Sequence, residues 1–170
     1  MIINQWQPVN HYFPRTTVLY YEITGSTAED LRAQMDFLGP IDDNGHRYDA
    51  LTRWFIRWYW PGFGQSPCEL DKATVSYEVK VIFPRWIPLK DALPKLVAQW
   101  DDYINALAEH EKGHVDYIVK NYQSVTVAIK NANCHTADSA AHAALVPLRK
   151  HDDEYDAITD HGKTQGARFP

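Results

Sequence analysis

From Glu109 to Asp116 the chain reads Glu-His-Glu-Lys-Gly-His-Val-Asp, and His110, Glu111 and His114 within it form one complete H-E-x-x-H. Side chains four residues apart on a helix lie one turn above each other on the same face, so the imidazoles of His110 and His114 can converge on one zinc ion. Glu111 sits one position round, where its carboxylate reaches a water on the metal rather than the metal itself. That is the place of a general base. The chemistry implied is metal-assisted hydrolysis of a peptide bond. Zinc supplies a water with a pKa of about 7, and Glu111 takes its proton and returns it to the leaving amine. The substrate would be a peptide or protein. With eight histidines in 170 residues, the same pattern can also arise by chance as two satisfied core histidines. Context favours the metal: Trp100, Tyr103, Leu107, His110, His114 and Ile118 follow three- and four-residue steps, so both histidines continue an apolar, core-facing stripe. A buried imidazole pair needs a polar partner, which a metal provides. Gly113 costs about 1 kcal/mol relative to Ala inside a helix and suggests a close approach to the backbone there.

Two histidines are one ligand short of a catalytic zinc, which takes three protein ligands and leaves a position for water. The tail offers candidates: His151-Asp152-Asp153-Glu154-Tyr155-Asp156 is dense in oxygen donors, and His161-Gly162 follows at the expected end of a helix. The acidic run also reads as a solvated helix face, and His161 as a cap on the helix dipole. His135, His142 and His151 read individually as surface residues.

Several elements must position these groups. Residues 16–23 are rich in β-branched and aromatic side chains and predict a strand. Ser26 and Glu29 have the spacing of a capping box for a short helix carrying Leu31, Met35 and Leu38, ended by Gly39-Pro40. A second strand is expected over 50–60; its aromatic residues fall on both faces, which predicts a central or covered position. Residues 74–83 alternate most cleanly and predict a half-buried strand paired with the second, with Pro84 and Pro88 closing the sheet region. The Gly62-x-Gly64 loop lacks the spacing of a phosphate site. The metal helix should begin near Lys90, with Pro94 in its first turn, and run to about Ile129. A second long helix should cover 137–158, with a possible kink at Pro147. Strands first and helices afterwards give an α+β fold: a small, mainly antiparallel sheet packed on two long helices.

At 45% hydrophobic and 23% charged, the 170 residues fit one globular domain, 1–170. A net charge of −5 without a basic run argues against nucleic acid or an anionic membrane as the main partner. No apolar stretch reaches membrane-spanning length, so no membrane insertion is expected. Met1 to Trp6 has neither a positive nor an apolar signal-peptide region, which reads as a cytoplasmic protein or a mature form. Cys68 and Cys134 are equally readable as two buried thiols or as a disulfide, which would persist outside the cytosol.

Tyr20-Tyr21-Glu22-Ile23-x-Gly25-x-Thr27, Leu31-Arg32, Gly39-Pro40, Pro84-Arg85-Trp86, the H-E-x-x-H, and Tyr155-Asp156-x-x-Thr159-x-His161-Gly162-x-x-Gln165-Gly166 follow one another through nearly the whole chain. In this order they resemble the bacterial predicted secreted zinc-dependent proteases, filed as a domain of unknown function. The resemblance implies a zincin-like helix pair, a Cys68–Cys134 disulfide and an exported, secreted or periplasmic protein, from which the missing signal peptide is a departure. It also keeps Asp156 and His161 together. His161 is the preferred third ligand, since imidazole is a common zinc donor. Asp156 is the alternative, as ligand or as the acceptor that fixes a histidine tautomer. Tyr155 is a candidate donor to the oxyanion, or an ordinary core aromatic. Two rival functions share this scaffold: a binding or inhibitory module without turnover, and a structural zinc domain with a fourth protein ligand.

Overall fold

The computed structural model describes residue 13 and residues 15–88 and 92–170. The signal-peptide reading at Met1 to Trp6 and the helix start near Lys90 lie outside the described residues. Strand β1 (Thr17–Gly25) leads into helix α1 (Ala28–Leu38), followed by β2 (Leu51–Tyr59), β3 (Thr74–Pro88), α2 (Pro94–Asn121), α3 (Gln123–Lys130) and α4 (Ala137–Thr159). This is the expected α+β layout, with a three-stranded sheet in the order β1-β3-β2.

The cleanest alternation in the sequence becomes the central strand. Val79, Val81 and Phe83 of β3 are buried, as a period of two on a half-covered sheet requires. β1 pairs with β3 in parallel, from Thr17 opposite Lys80 to Gly25 opposite Pro88. Alternation does not decide strand direction, and the expected mainly antiparallel sheet made no provision for this pairing. Of the two prolines expected to close the sheet region, Pro88 ends β3, and the strand runs on through Pro84. A proline removes only its own ladder donor, and beyond it the Trp86 indole donates to the Gly25 carbonyl at 3.1 Å, which pins the extension to β1. The aromatic β2 lies at the sheet edge rather than the centre. Its tryptophans are covered instead by α4: Trp54 Nε1 donates to Asp152 at 2.6 Å and Trp58 Nε1 to Asp138 at 2.9 Å. Phe55 and Tyr59, of opposite parity, are exposed.

The α1 cap is displaced by one residue from expectation. Thr27, not Ser26, is the N-cap; its hydroxyl accepts from the Asp30 amide at 3.1 Å. The Asp30 carboxylate in turn accepts the amides of both Ser26 and Thr27 at 3.2 Å. One carboxylate thus satisfies two donors that would otherwise be unpaired at the helix start. The expected unbroken metal helix is interrupted at Tyr122, between α2 and α3. The Asn121 side chain donates back to the Tyr117 carbonyl at 2.8 Å, the kind of local bond that competes with helical pairing.

The chain divides into two compact units, one of residues 1–53, 79–115 and 159–170, the other of residues 54–78 and 116–158. In the first, Ile23, Leu31, Met35, Phe83, Trp86, Trp100 and Tyr103 are buried. The Asp49 carboxylate gathers its parts: Arg32 of α1 pairs with both oxygens, and the Tyr103 hydroxyl of α2 donates to one of them. Burial, and then the Asp49 charge, push the Tyr103 hydroxyl pKa up, so it stays a donor. In the second unit Trp60, Ile118, Val125, Ile129, Ala141 and Leu148 are buried. There Cys68 and Cys134 are joined in a disulfide, with their Cα atoms 5.7 Å apart. Among the described residues, no helix is long and apolar enough to cross a membrane.

Candidate metal centre

α2 positions the H-E-x-x-H. Leu107 and Ile118 keep one face of the helix in the core, and the same face buries His110 to 3%, Glu111 to 4% and His114 to 6% exposure. The two imidazole centroids are 5.0 Å apart, with the ring planes at 89°. Glu111 lies one residue round, and the Thr52 hydroxyl at the start of β2 donates to its Oε2 at 2.6 Å. A buried carboxylate needs such a bond, and this one also fixes how the group is turned.

A carboxylate of α4 joins the two imidazoles. Ligand atoms of His110, His114 and Asp156 all lie within 4.8 Å of one another, with both histidines buried and Asp156 half-buried. Two imidazoles and one carboxylate are a donor set that zinc accepts, and they would leave a coordination position for water.

His161, the preferred third ligand on sequence grounds, is not a member of that group. The physical reason is the way the helix stops. α4 ends at Thr159, and Asp160 and His161 both take left-handed backbone angles, with φ of 48° and 50°. That reversal leaves His161 exposed, its ring 5.2 Å from that of Tyr48. Asp156, still inside the helix, keeps a helical direction for its side chain.

The reversed tail instead brings other residues to His110. Gly162 has φ 83°, and a Cβ there would stand 2.8 Å from Cγ of His110, so no larger residue fits without displacing the ring. Gln165, in the short turn of Lys163–Gln165, places Oε1 3.0 Å from Nδ1 of His110. The Thr159 hydroxyl is 3.4 Å from the same nitrogen and accepts the Gly162 amide at 3.2 Å. Farther on, Phe169 packs its ring against Trp100 and Tyr103 at 5.4 and 5.0 Å, which anchors the tail to α2.

The remaining candidates lie on α4 and in the connection before it. Tyr155 is half-buried on α4, its ring parallel to that of His151 at 6.1 Å. His151 is no surface residue: it is half-buried and stacks on Tyr117 at 3.4 Å. Asp153 and Glu154 form the solvated face, where Glu154 pairs with Lys150 at 2.8 Å. His135 is exposed, and exposed His142 meets the edge of Trp58 at 4.9 Å. Thr52 carries no local signal in the sequence, and Thr159, Gly162 and Gln165 stand in the terminal motif with nothing that ties them to His110.

No curated protein and no solved structure gives a significant match to the chain. Residues 18–162 match a bacterial family described as "Bacterial protein of unknown function (DUF922)", a span that takes in β1 from Val18 onward, the H-E-x-x-H and Asp156. The chain therefore belongs to the DUF922 family of bacterial proteins.

Proposed function

We propose that the protein is a zinc-dependent peptidase in which His110, His114 and Asp156 hold the metal and Glu111 is the general base. The observation that carries this reading is the convergence of three donors within 4.8 Å, two of them the buried histidines of an H-E-x-x-H helix. When bound, zinc would supply the Lewis acidity that makes water a nucleophile near neutral pH. The chain's own residues do the rest. Glu111, turned by Thr52, takes the proton of the attacking water and delivers it to the leaving amine. Tyr155, next to Asp156 on α4, is the candidate donor to the developing oxyanion. The substrate class is a peptide or protein. The Cys68–Cys134 disulfide supports a site of action outside the cytosol, secreted or periplasmic, where such bonds persist.

Metal analysis and a peptidase assay on the same preparations test this. The wild-type chain should bind about one equivalent of zinc, and His114→Ala should lose it. Glu111→Gln should keep the zinc and lower hydrolysis by roughly 100-fold or more, because an amide cannot accept the proton. Full zinc occupancy in His114→Ala would end the ligand assignment. Metal loss in Glu111→Gln would make that residue a ligand, and a zinc-loaded wild type that cleaves no peptide would favour the non-catalytic module.

A further inference from the structure

We propose that Gln165 is a positioning residue that sets the tautomer of His110. This rests on reading His110 as a metal ligand. An imidazole can offer a lone pair to a metal only from the nitrogen that carries no proton, and the partner of the other nitrogen selects which one that is. The Gln165 amide oxygen, 3.0 Å from Nδ1 of His110, is an acceptor placed to hold the proton there. Nε2 is thereby left unprotonated as the donor atom. The Thr159 hydroxyl is farther, at 3.4 Å, and its oxygen already accepts the Gly162 amide.

Three features of the tail serve this one contact. Gly162 lets the chain pass so close to the His110 ring that a Cβ would stand 2.8 Å from Cγ. Gly166, with φ 100°, closes the short turn that carries Gln165. Phe169 fixes the far end against Trp100 and Tyr103. Gln165 itself is an exposed residue, so the core does not account for its place.

The test uses the full chain and two variants. Gln165→Met keeps the length of the side chain and removes the acceptor; Gln165→Glu keeps an acceptor and removes the amide donor. In the chelator-treated protein, at mildly alkaline pH where imidazole is neutral, long-range proton–nitrogen NMR reads the His110 tautomer directly, with His110→Gln identifying its signals. Zinc affinity is then measured by chelator competition. Wild type and Gln165→Glu should carry the proton on Nδ1, whereas Gln165→Met should shift it toward Nε2. Zinc binding should weaken by about 10- to 100-fold in Gln165→Met and recover in Gln165→Glu, as for other residues that orient a metal ligand. A wild type protonated on Nε2, or a Met variant with an unchanged tautomer, would overturn the proposal. A tautomer that responds as stated in a chain that binds no zinc would uphold the role of Gln165 and sink the zinc reading alone.

Discussion

Asp156 and His161 separate cleanly once the end of α4 is known. Asp156 has its carboxylate in the group with His110 and His114, while His161 lies past the left-handed reversal and is exposed. We therefore expect Asp156→Ala to weaken zinc binding by more than about 100-fold, beyond the range typical of a residue that only steadies a ligand, and His161→Ala to change it by less than about 3-fold. Chelator competition on the two variants checks this. The opposite order would return the third position to His161. The sequence placed both residues in one motif, but spacing alone could not rank them. Imidazole is the commoner donor in general, yet the grouped ligand atoms include Asp156 and not His161.

The cap of α1 shows the same limit at the level of an element. The spacing of Ser26 and Glu29 fits a capping box, yet the helix is capped by Thr27, and Asp30 accepts from both preceding amides. Thr27→Ala should lower unfolding stability by about 1 kcal/mol in urea titrations at neutral pH. The Asp30 pKa is lowered, first by the Ser26 amide and then by its bonds with Thr27, so its contribution to stability is present above the ordinary aspartate range. It is lost as the pH falls through the lowered pKa. The deficit of Asp30→Asn relative to wild type should therefore be complete at neutral pH and vanish in acid. A deficit that persists unchanged below the aspartate range would contradict the cap.

For the molecule as a whole, the disulfide is the covalent constraint with the largest reach. Cys68 and Cys134 are 66 residues apart, and closing such a loop removes about 4 kcal/mol of unfolded-chain entropy in the loop-closure model. Reduction of the unfolded protein followed by thiol blocking should lower the thermal midpoint on refolding, and oxidised material unfolded in denaturant should titrate no free thiol. Two reactive thiols in that material would contradict the pairing. Because both cysteines lie within the unit of residues 54–78 and 116–158, loss of the bond should fall on the cooperativity of that unit. Amide exchange can compare these with the rest of the chain.

The sequence by itself determined the local periods and the chemistry that rides on them. A repeat of three and four residues put His110 and His114 on a core-facing helical stripe with Glu111 one position round, and alternation marked residues 79, 81 and 83 as a sheet face. Such signals depend on near neighbours, which any stretch of chain carries with it. The α+β order follows from the same reading. What only the tertiary structure decided lies between residues far apart in the chain: Thr52 on Glu111 across 59 positions, and Gln165 on His110 across 55. Partners of that kind are chosen by packing and by where a helix is forced to stop. No period in the sequence records them. The parallel pairing of β1 and the central place of β3 have the same origin, since each is a contact between elements whose separate formation leaves it open.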